Sequence, residues 1–257
     1  MPDIMIIGGI EVETQYTSRF EYLDYSDLNS RTIVISNALI RAAQSLTLNE
    51  KRILMACITK LTPENRVVEL HAKEYSATYG VDTKNAYNDL KESSLNIFKK
   101  HIRGVFKNGI EVYLHWCSQA TYEPEQGKII LAFTPEIMPY LIGLKSHFTQ
   151  YKLSQASSLR SVHSWRLMEL LQQMRGKQPE GYLIIDINEF YLAMEATESY
   201  KNNFSLFKKY CINPAVTELM DKAGWLIDWQ PLKMGRRVQA IRFDFEKTNQ
   251  QTIFNEI

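Results

Sequence analysis

Hydrophobic residues recur at helical spacing from Leu46 onward. Thr47 is followed three residues later by Glu50, which is the spacing of a capping box at a helix start. This pattern predicts a helix from about 47 to 61, with one apolar stripe made of Leu46, Ile53, Leu54, Ile58 and Leu61.

Shorter elements of both kinds follow. We predict a strand over RVVELHA, a short helix over AKEYSATYG that Gly80 closes, and a third helix over TKNAYNDLKESSLNIFKKHI. The inner face of this third helix is predicted to hold Tyr87, Leu90, Ser94, Ile97 and Phe98. Two apolar strands, IEVYLHWCSQATY and KIILAFTP, then form a hairpin. This order is typical of a winged helix-turn-helix domain.

The same order of elements occurs a second time. It comprises a helix over SVHSWRLMELLQQMRG, a strand over YLIID, a short helix over INEFYLAME, a long helix over YKNNFSLFKKYCINPAVTELMDKAG and a hairpin over LIDWQPLKMGRRVQAIRFDFE. The predicted fold class is therefore α+β, with two tandem winged helix-turn-helix domains. We predict an acidic, loosely ordered N-terminal arm (1–30), an N-terminal domain (31–144), a linker or linking helix (145–157), a C-terminal domain (158–247) and a tail (248–257).

Charge and cysteine usage narrow the function classes. The formal net charge is only +1, so an argument for a nucleic-acid partner depends on where the cations lie. Three scattered cysteines indicate no disulfide framework and suit a reducing cytosol. We predict a cytoplasmic protein without a signal peptide or a spanning helix.

The stretch YKNNFSLFKKY, residues 200–210, separates polar from aromatic residues when it is wrapped as a helix. Tyr200, Phe204, Phe207 and Cys211 share one stripe, which is predicted to be buried. The other side shows Asn202, Ser205 and Lys209, flanked by Lys201 and Lys208, with no acid between Ser199 and Cys211. Either this is an ordinary solvated face, or it contacts DNA, since Asn, Ser and Lys can bond base edges or phosphates. Pro214 predicts a kink or a helix restart at Asn213.

A second basic group lies in the last hairpin. It comprises Lys233, Arg236, Arg237 and Arg242, with no acid between Lys233 and Phe243. At a hairpin tip beside a DNA-reading helix, such residues would bind backbone phosphates. The third helix of the first unit has a similar but weaker basic face. Its predicted outward residues are Lys84, Asn85, Asn88 and Lys91, and nearby acidic residues reduce the positive charge. A structural role, a phosphate contact and subunit pairing all remain open there.

Catalytic motifs are absent from the sequence. The five histidines are isolated, so none forms the His-x-His metal pair of nicking initiators. There is no GxxxxGK[ST] phosphate loop and no GxSxG elbow. We therefore predict a protein that is not an enzyme, with no cofactor and no metal site.

Several separated motifs together resemble a known family. The runs FTQYKLSQASSLRSVHSWRLMELL, INEFYLAME, SYKNNFSLFKKYCINPAVTEL and GRRVQAIRFDFE, with NALIRAAQSLTLNEKRILMACI near the start, are similar to the iteron-binding plasmid replication initiators of the Rep type 3 superfamily. The resemblance covers roughly residues 33 to 246. It implies tandem winged-helix domains that bind direct repeats, called iterons, at a plasmid origin and open an AT-rich segment there.

The resemblance also implies partners and site residues. The expected partners are double-stranded DNA, a second copy of the chain and host replication proteins such as an initiator and a helicase, with no membrane. Monomers would start replication, and dimers would repress the initiator's own gene through an inverted repeat. The second domain would make the main base contacts; the first would support dimerisation and add weaker DNA contacts. The family's recognition helix falls on Tyr200 to Tyr210, including Asn203, and its wing on Lys233 to Arg242. Arg160, Ser161 and Ser164 fit a family position where a helix start can meet phosphate.

One departure from the family affects the target sequence. Family members often carry arginines in the recognition helix, whereas the cations here are lysines. Because lysine is a flexible point charge, base reading would depend more on Asn202, Asn203 and Ser205. Two alternatives stay open: a winged-helix transcriptional repressor without an initiator role, and an interaction protein that uses winged helices for protein contacts only.

Overall fold

The first unit is built around the helix that its capping box predicts. The computed structural model describes residues 3–7, 10–14, 27–105, 110–143, 147–175 and 179–248. The Thr47 hydroxyl accepts a hydrogen bond from the Glu50 amide, and the Glu50 carboxylate accepts one from the Thr47 amide. These reciprocal bonds satisfy two amides that a helix start leaves unpaired, so the helix begins at Leu48 and runs to Ile58.

The elements of the first half alternate between short strands and helices. In chain order they are β1 (Asp3–Ile7), β2 (Ile10–Thr14), β3 (Thr32–Ser36), α1 (Asn37–Arg41), α2 (Leu48–Ile58), β4 (Val67–His71), α3 (Ala72–Tyr79), α4 (Thr83–Lys99), β5 (His101–Val105), β6 (Glu111–His115), β7 (Cys117–Glu123), β8 (Lys128–Phe133), α5 (Met138–Leu141), β9 (Phe148–Lys152) and α6 (Ser154–Ser157). Strands β4, β8 and β7 form one antiparallel sheet, while β1–β2, β3–β9 and β5–β6 are antiparallel pairs.

The second half repeats the helix, strand and hairpin order. Its elements are α7 (Val162–Arg175), β10 (Glu180–Asp186), α8 (Ile187–Ala193), α9 (Glu198–Asn202), α10 (Phe204–Phe207), a π-helical turn (Lys208–Ile212), α11 (Asn213–Ala223), β11 (Trp225–Met234) and β12 (Arg237–Lys247). Strand β12 lies between β10 and β11 in an antiparallel sheet. Apolar residues of α7 are buried, among them Trp165, Leu167, Met168 and Leu171.

The predicted linker contains a strand. Residues 148–152 form β9, which pairs with β3 so that Tyr151 lies opposite Ile33, and both side chains are buried. The stretch looked polar because its buried residues alternate with exposed ones, as in a strand with one buried face. The first unit therefore closes on a strand where the sequence predicted a linker or a linking helix. Residues 145 and 146 of that linker lie outside the described residues.

Three other predictions need correction or restriction. The arm at 1–30 was predicted to be loosely ordered, but β1 pairs with β2, and Leu28 is buried and donates its amide proton to Thr78. Residues 1–2, 8–9 and 15–26 of the arm, and 249–257 of the tail, lie outside the described residues. Phe98 was predicted to face inward, but it is 45% exposed near the end of α4.

Buried polar contacts join helix α7 to elements earlier in the chain. The Lys51 ammonium on α2 lies 2.9 Å from the Glu169 carboxylate on α7, and neither side chain is exposed. The Tyr151 hydroxyl donates to the other oxygen of Glu169 at 2.7 Å. The buried Arg166 guanidinium donates to the carbonyl of Ala42, which follows α1. Charged and polar groups that lose water on burial are thus paired between α7 and the first half of the chain.

No helix within the described ranges is both long enough and apolar enough to cross a bilayer.

Candidate DNA interface

The predicted recognition helix is interrupted at Asn203. Its backbone has φ −138° and ψ 91°, and its side-chain oxygen accepts hydrogen bonds from the amides of Ser205 and Leu206. Asn203 therefore ends α9 and caps α10. The prediction of one continuous helix was wrong here, because an asparagine can bond local amides in place of the helical pattern. We call residues 200–210 the recognition segment.

The second irregularity coincides with Pro214. A regular helix would pair the carbonyl of Tyr210 with the amide of residue 214, but proline has no amide proton. The chain instead forms a π-helical turn, in which the Asn213 amide donates to the Lys208 carbonyl. Regular α-helix resumes as α11 at Asn213, where Pro214 predicted a kink or restart. Such turns are frequent at functional sites.

Aromatic packing anchors the recognition segment. Phe207 is fully buried, with its ring centre 5.6 Å from that of Phe190 and 5.0 Å from that of Tyr191. Tyr200 and Phe204 lie partly buried beside the same ring. The apolar stripe predicted from spacing thus packs against the core despite the interruption. The predicted outward residues, Asn202, Asn203, Ser205, Lys208 and Lys209, are exposed.

The three lysines of the segment differ in their surroundings. Lys201 forms an exposed ion pair with Glu198 at 2.6 Å, so an acid just upstream of the segment partly offsets its charge. The Lys208 ammonium lies 5.5 Å from the ring centre of Trp229, and the Lys209 ammonium lies 5.0 Å from that of Tyr210. Within the described part of the chain, neither Lys208 nor Lys209 forms a salt bridge. Their positive charges are therefore available to a partner.

Three of the four basic residues predicted for the wing meet at its tip. Strands β11 and β12 turn at Gly235, whose φ of +61° suits glycine, after a register shift between Leu232 and Lys233. Lys233, Arg236 and Arg237 are exposed there. None of the three forms a salt bridge to a described residue. We call residues 233–237 the wing tip.

Arg242 belongs to a different surface. It donates to both oxygens of Asp244 at 2.8 and 2.7 Å, and its guanidinium lies 5.1 Å from the ring centre of Tyr182. It alternates along β12 with the buried Ile241 and Phe243, so it points to the face of the sheet opposite the core. Sequence proximity grouped it with the wing tip, but the strand places it elsewhere, and Asp244 compensates its charge.

Fewer groups at the start of α7 are free to bind a phosphate than the sequence predicted. Ser164 is fully buried, so its hydroxyl does not reach the surface. Ser161 is half-buried and its hydroxyl accepts from the amide of His163. The Arg160 amide donates to the Glu218 carboxylate at 2.8 Å. Burial would raise the pKa of Glu218, but hydrogen bonds that include those from Lys222 and the Arg160 amide lower it. An ionised carboxylate thus lies here, and the exposed Arg160 side chain is the group left for DNA.

In the first unit, Lys84, Asn85 and Lys91 are exposed on α4, as predicted. Asp82 caps this helix by accepting from the Lys84 amide at 2.9 Å. Leu95 and Phe98 are also exposed further along, at 54% and 45%. This surface therefore exposes apolar side chains near its cations.

Sequence reasoning missed two aromatic residues beside the lysines of the recognition segment. Trp229 alternates with polar residues in β11 and resembles any half-buried strand residue, so no sequence signal linked it to Lys208. Tyr210 ends the recognition segment and is 53% exposed beside Lys209. The one sequence signal for Tyr210 was its position at the end of a basic run that contains no acidic residue.

Comparisons with known proteins agree with this architecture. A family model described as Initiator Replication protein, WH1, matches residues 32–172, and one described as Initiator Rep protein, WH2, matches residues 186–245. The chain is 24% identical over 235 residues to a Replication initiation protein from Escherichia coli, covering 86% of this chain and 72% of the relative. It is 26% identical over 259 residues to the PI protein from Escherichia coli, covering 85% and 84% of the two chains.

A solved structure has a similar fold. The crystal structure of Pi initiator protein in complex with iteron DNA matches with a TM-score of 0.72 at 24% identity, covering 86% of this chain and 99% of that chain. The two family models together span most of the sequence, in the order in which the two winged-helix units occur. The chain therefore belongs to the Rep type 3 family of initiator replication proteins, with a WH1 and a WH2 domain.

Proposed function

We propose that this protein initiates plasmid replication by binding iteron direct repeats at the origin. One observation carries the proposal: the recognition segment and the wing tip both expose cations that, apart from Lys201, form no salt bridge to a described residue. Lys208, Lys209, Arg236 and Arg237 lie at the two places where a winged helix meets DNA. The Pi initiator protein, which has a similar fold, was crystallised in complex with iteron DNA, and this supports the proposal.

The two domains would contribute differently to DNA binding. Residues 158–247 would make the main base contacts through the recognition segment, with the wing tip on phosphates. Residues 31–144 would support dimerisation and add phosphate contacts from Lys84 and Lys91. Binding to tandem repeats would promote opening of an AT-rich segment and recruit host replication proteins, and a dimer would repress the protein's own gene.

The test is binding of the purified protein to the direct repeats that flank its gene. Single and tandem repeats, an inverted repeat and a random duplex are titrated across a salt series, because salt separates phosphate attraction from base recognition. We expect preference for the direct repeats over the random duplex, and local opening of the AT-rich tract on a supercoiled template. Preference for an inverted repeat alone, without opening, would favour a transcriptional repressor. Equal binding to every duplex would refute the proposal.

Shortening a base-reading side chain should relax sequence discrimination. Lys209→Ala or Asn202→Ala should lose about 1–3 kcal/mol of binding to the direct repeat, if each makes one well-formed base contact. Binding to random duplex should fall less. Competitive gel-shift titration against single-base variants of the repeat measures both quantities.

The matched control is Lys152→Ala, which removes one exposed lysine from β9. It should leave discrimination unchanged. If Lys209→Ala and Lys152→Ala behaved alike, Lys209 would not be a base-reading residue.

A further inference from the structure

Trp229 connects the wing sheet to the recognition segment. It lies on β11 opposite Phe243, and the two rings stack at 6.1 Å with an interplanar angle of 28°. Phe243 is fully buried, so the indole rests on the core and not on a mobile surface. The Lys208 ammonium lies 5.5 Å from the centre of the same indole ring. A side chain of the wing strand thus contacts a cation of the recognition segment.

The backbone of Lys208 is held from the other side. Its neighbour Phe207 is fully buried with its ring centre 5.6 Å from that of Phe190, and Phe190 lies 5.6 Å from Phe243. A continuous set of rings therefore runs from Phe207 through Phe190 and Phe243 to Trp229. Both the Cα and the ammonium of Lys208 are placed by this one aromatic cluster.

The contact suits a cation that must also bind an anion. An indole face attracts an ammonium more strongly than other aromatic rings do, yet it occupies none of its three N–H donors in a conventional hydrogen bond. An acidic partner would instead compete with phosphate for the charge. A free lysine loses rotamer entropy when it binds, and a lysine already held by a ring loses less.

We propose, resting on the proposed function, that Trp229 is a positioning residue that holds Lys208 for a phosphate contact between the recognition segment and the wing. Trp229 itself need not touch the DNA. Recognition segment and wing then act on one stretch of DNA backbone as a unit, and not as two independent basic patches.

The experiment is a double-mutant cycle in the full chain. Trp229→Leu, Lys208→Met and the double variant are titrated with the direct repeat and with random duplex across a salt series. Trp229→Leu should weaken both by roughly two- to fivefold, the size of an exposed cation–π contact. Trp229→Phe should lose less, because it keeps an aromatic face. With Lys208→Met already present, Trp229→Leu should have no further effect, a dependence that a purely structural role would not produce.

Tyr182→Leu provides the matched control. Tyr182 makes the corresponding contact with Arg242 on the opposite face of the same sheet, at 5.1 Å. Removing it should leave DNA affinity unchanged.

Three results would overturn the proposal: equal loss from Trp229→Leu with and without Lys208, no loss at all, or a gain that shows the ring withholding Lys208 from DNA. Thermal unfolding checks each variant; if Trp229→Leu does not fold, the same cycle with Trp229→Phe decides. A wild-type protein that fails to bind duplex would instead refute the proposed function.

Discussion

Replacing Lys51 with methionine should lower the free energy of unfolding by about 3–5 kcal/mol, the usual loss when one partner of a buried ion pair is removed. The variant would remove the nearer of the two cations beside the buried Glu169 carboxylate and leave only Arg166, at 3.9 Å. Burial lowers the pKa of Lys51 to about 8, against the opposing effect of Glu169. The lysine is therefore mainly protonated at neutral pH, and the pair is ionic. Urea titration followed by circular dichroism measures the loss.

Two controls separate the unpaired charge from other effects. The double variant Lys51→Met with Glu169→Gln removes both charges and keeps a polar partner for Tyr151, so it should recover part of the stability. Recovery is partial because the buried Arg166 loses its carboxylate and keeps only its carbonyl acceptors. Lys201→Met breaks the exposed pair with Glu198 and should cost less than about 1 kcal/mol. A loss for Lys51→Met as small as that for Lys201→Met would show that the pair does not stabilise the packing of α7 against α2.

Removing both wing-tip arginines should weaken binding to every duplex by a similar factor. We expect Arg236→Ala with Arg237→Ala to cut affinity on the order of tenfold at low salt, because each phosphate contact releases counterions. The slope of log affinity against log salt should become shallower by about 1.8, from roughly 0.9 per contact. Discrimination between the direct repeat and random duplex should hardly change. Fluorescence anisotropy across a salt series measures affinity and slope together.

Arg242→Ala is the matched control for the wing. It removes the same kind of side chain from the same hairpin, but one that Asp244 already pairs on the opposite face of the sheet. Its effect on the salt slope should be close to zero. A slope change equal to that of a wing-tip arginine would place DNA on the face of Arg242, against the assignment made above.

Local signals predicted most elements, because capping and alternation act over a few residues. The capping box at Thr47, the αL glycine at Gly80 and the apolar stripe around Phe207 all lie where spacing placed them. The interruption at Asn203 was not predicted, since the same asparagine can cap a helix or face solvent within one. Which of these two conformations Asn203 adopts depends on how the rings of Tyr200, Phe204 and Phe207 pack.

Contacts between residues far apart in the sequence could not be predicted from local hydrophobic patterns. Lys51, Arg52 and Arg166 look like exposed helix residues in the sequence, but all three are buried, with partners more than a hundred residues away. Ser164 was expected at a phosphate, but it is buried, since α11, about fifty residues further along the chain, packs against α7. Charge proximity along the chain also grouped Arg242 with the wing tip. Strand alternation puts Arg242 and Asp244 on the same face of β12, a signal that the grouping by charge did not use.

The pairing of β3 with β9 has a consequence for the order of synthesis. Ile33 and Ile35 lie on a strand whose hydrogen-bonding partner begins at Phe148, so a nascent chain exposes that edge until more than a hundred further residues have been made. A chain that stalls before Phe148 would carry an apolar, unpaired strand. We therefore expect translation products truncated before that point to aggregate, while products that extend past Lys152 can close the first unit.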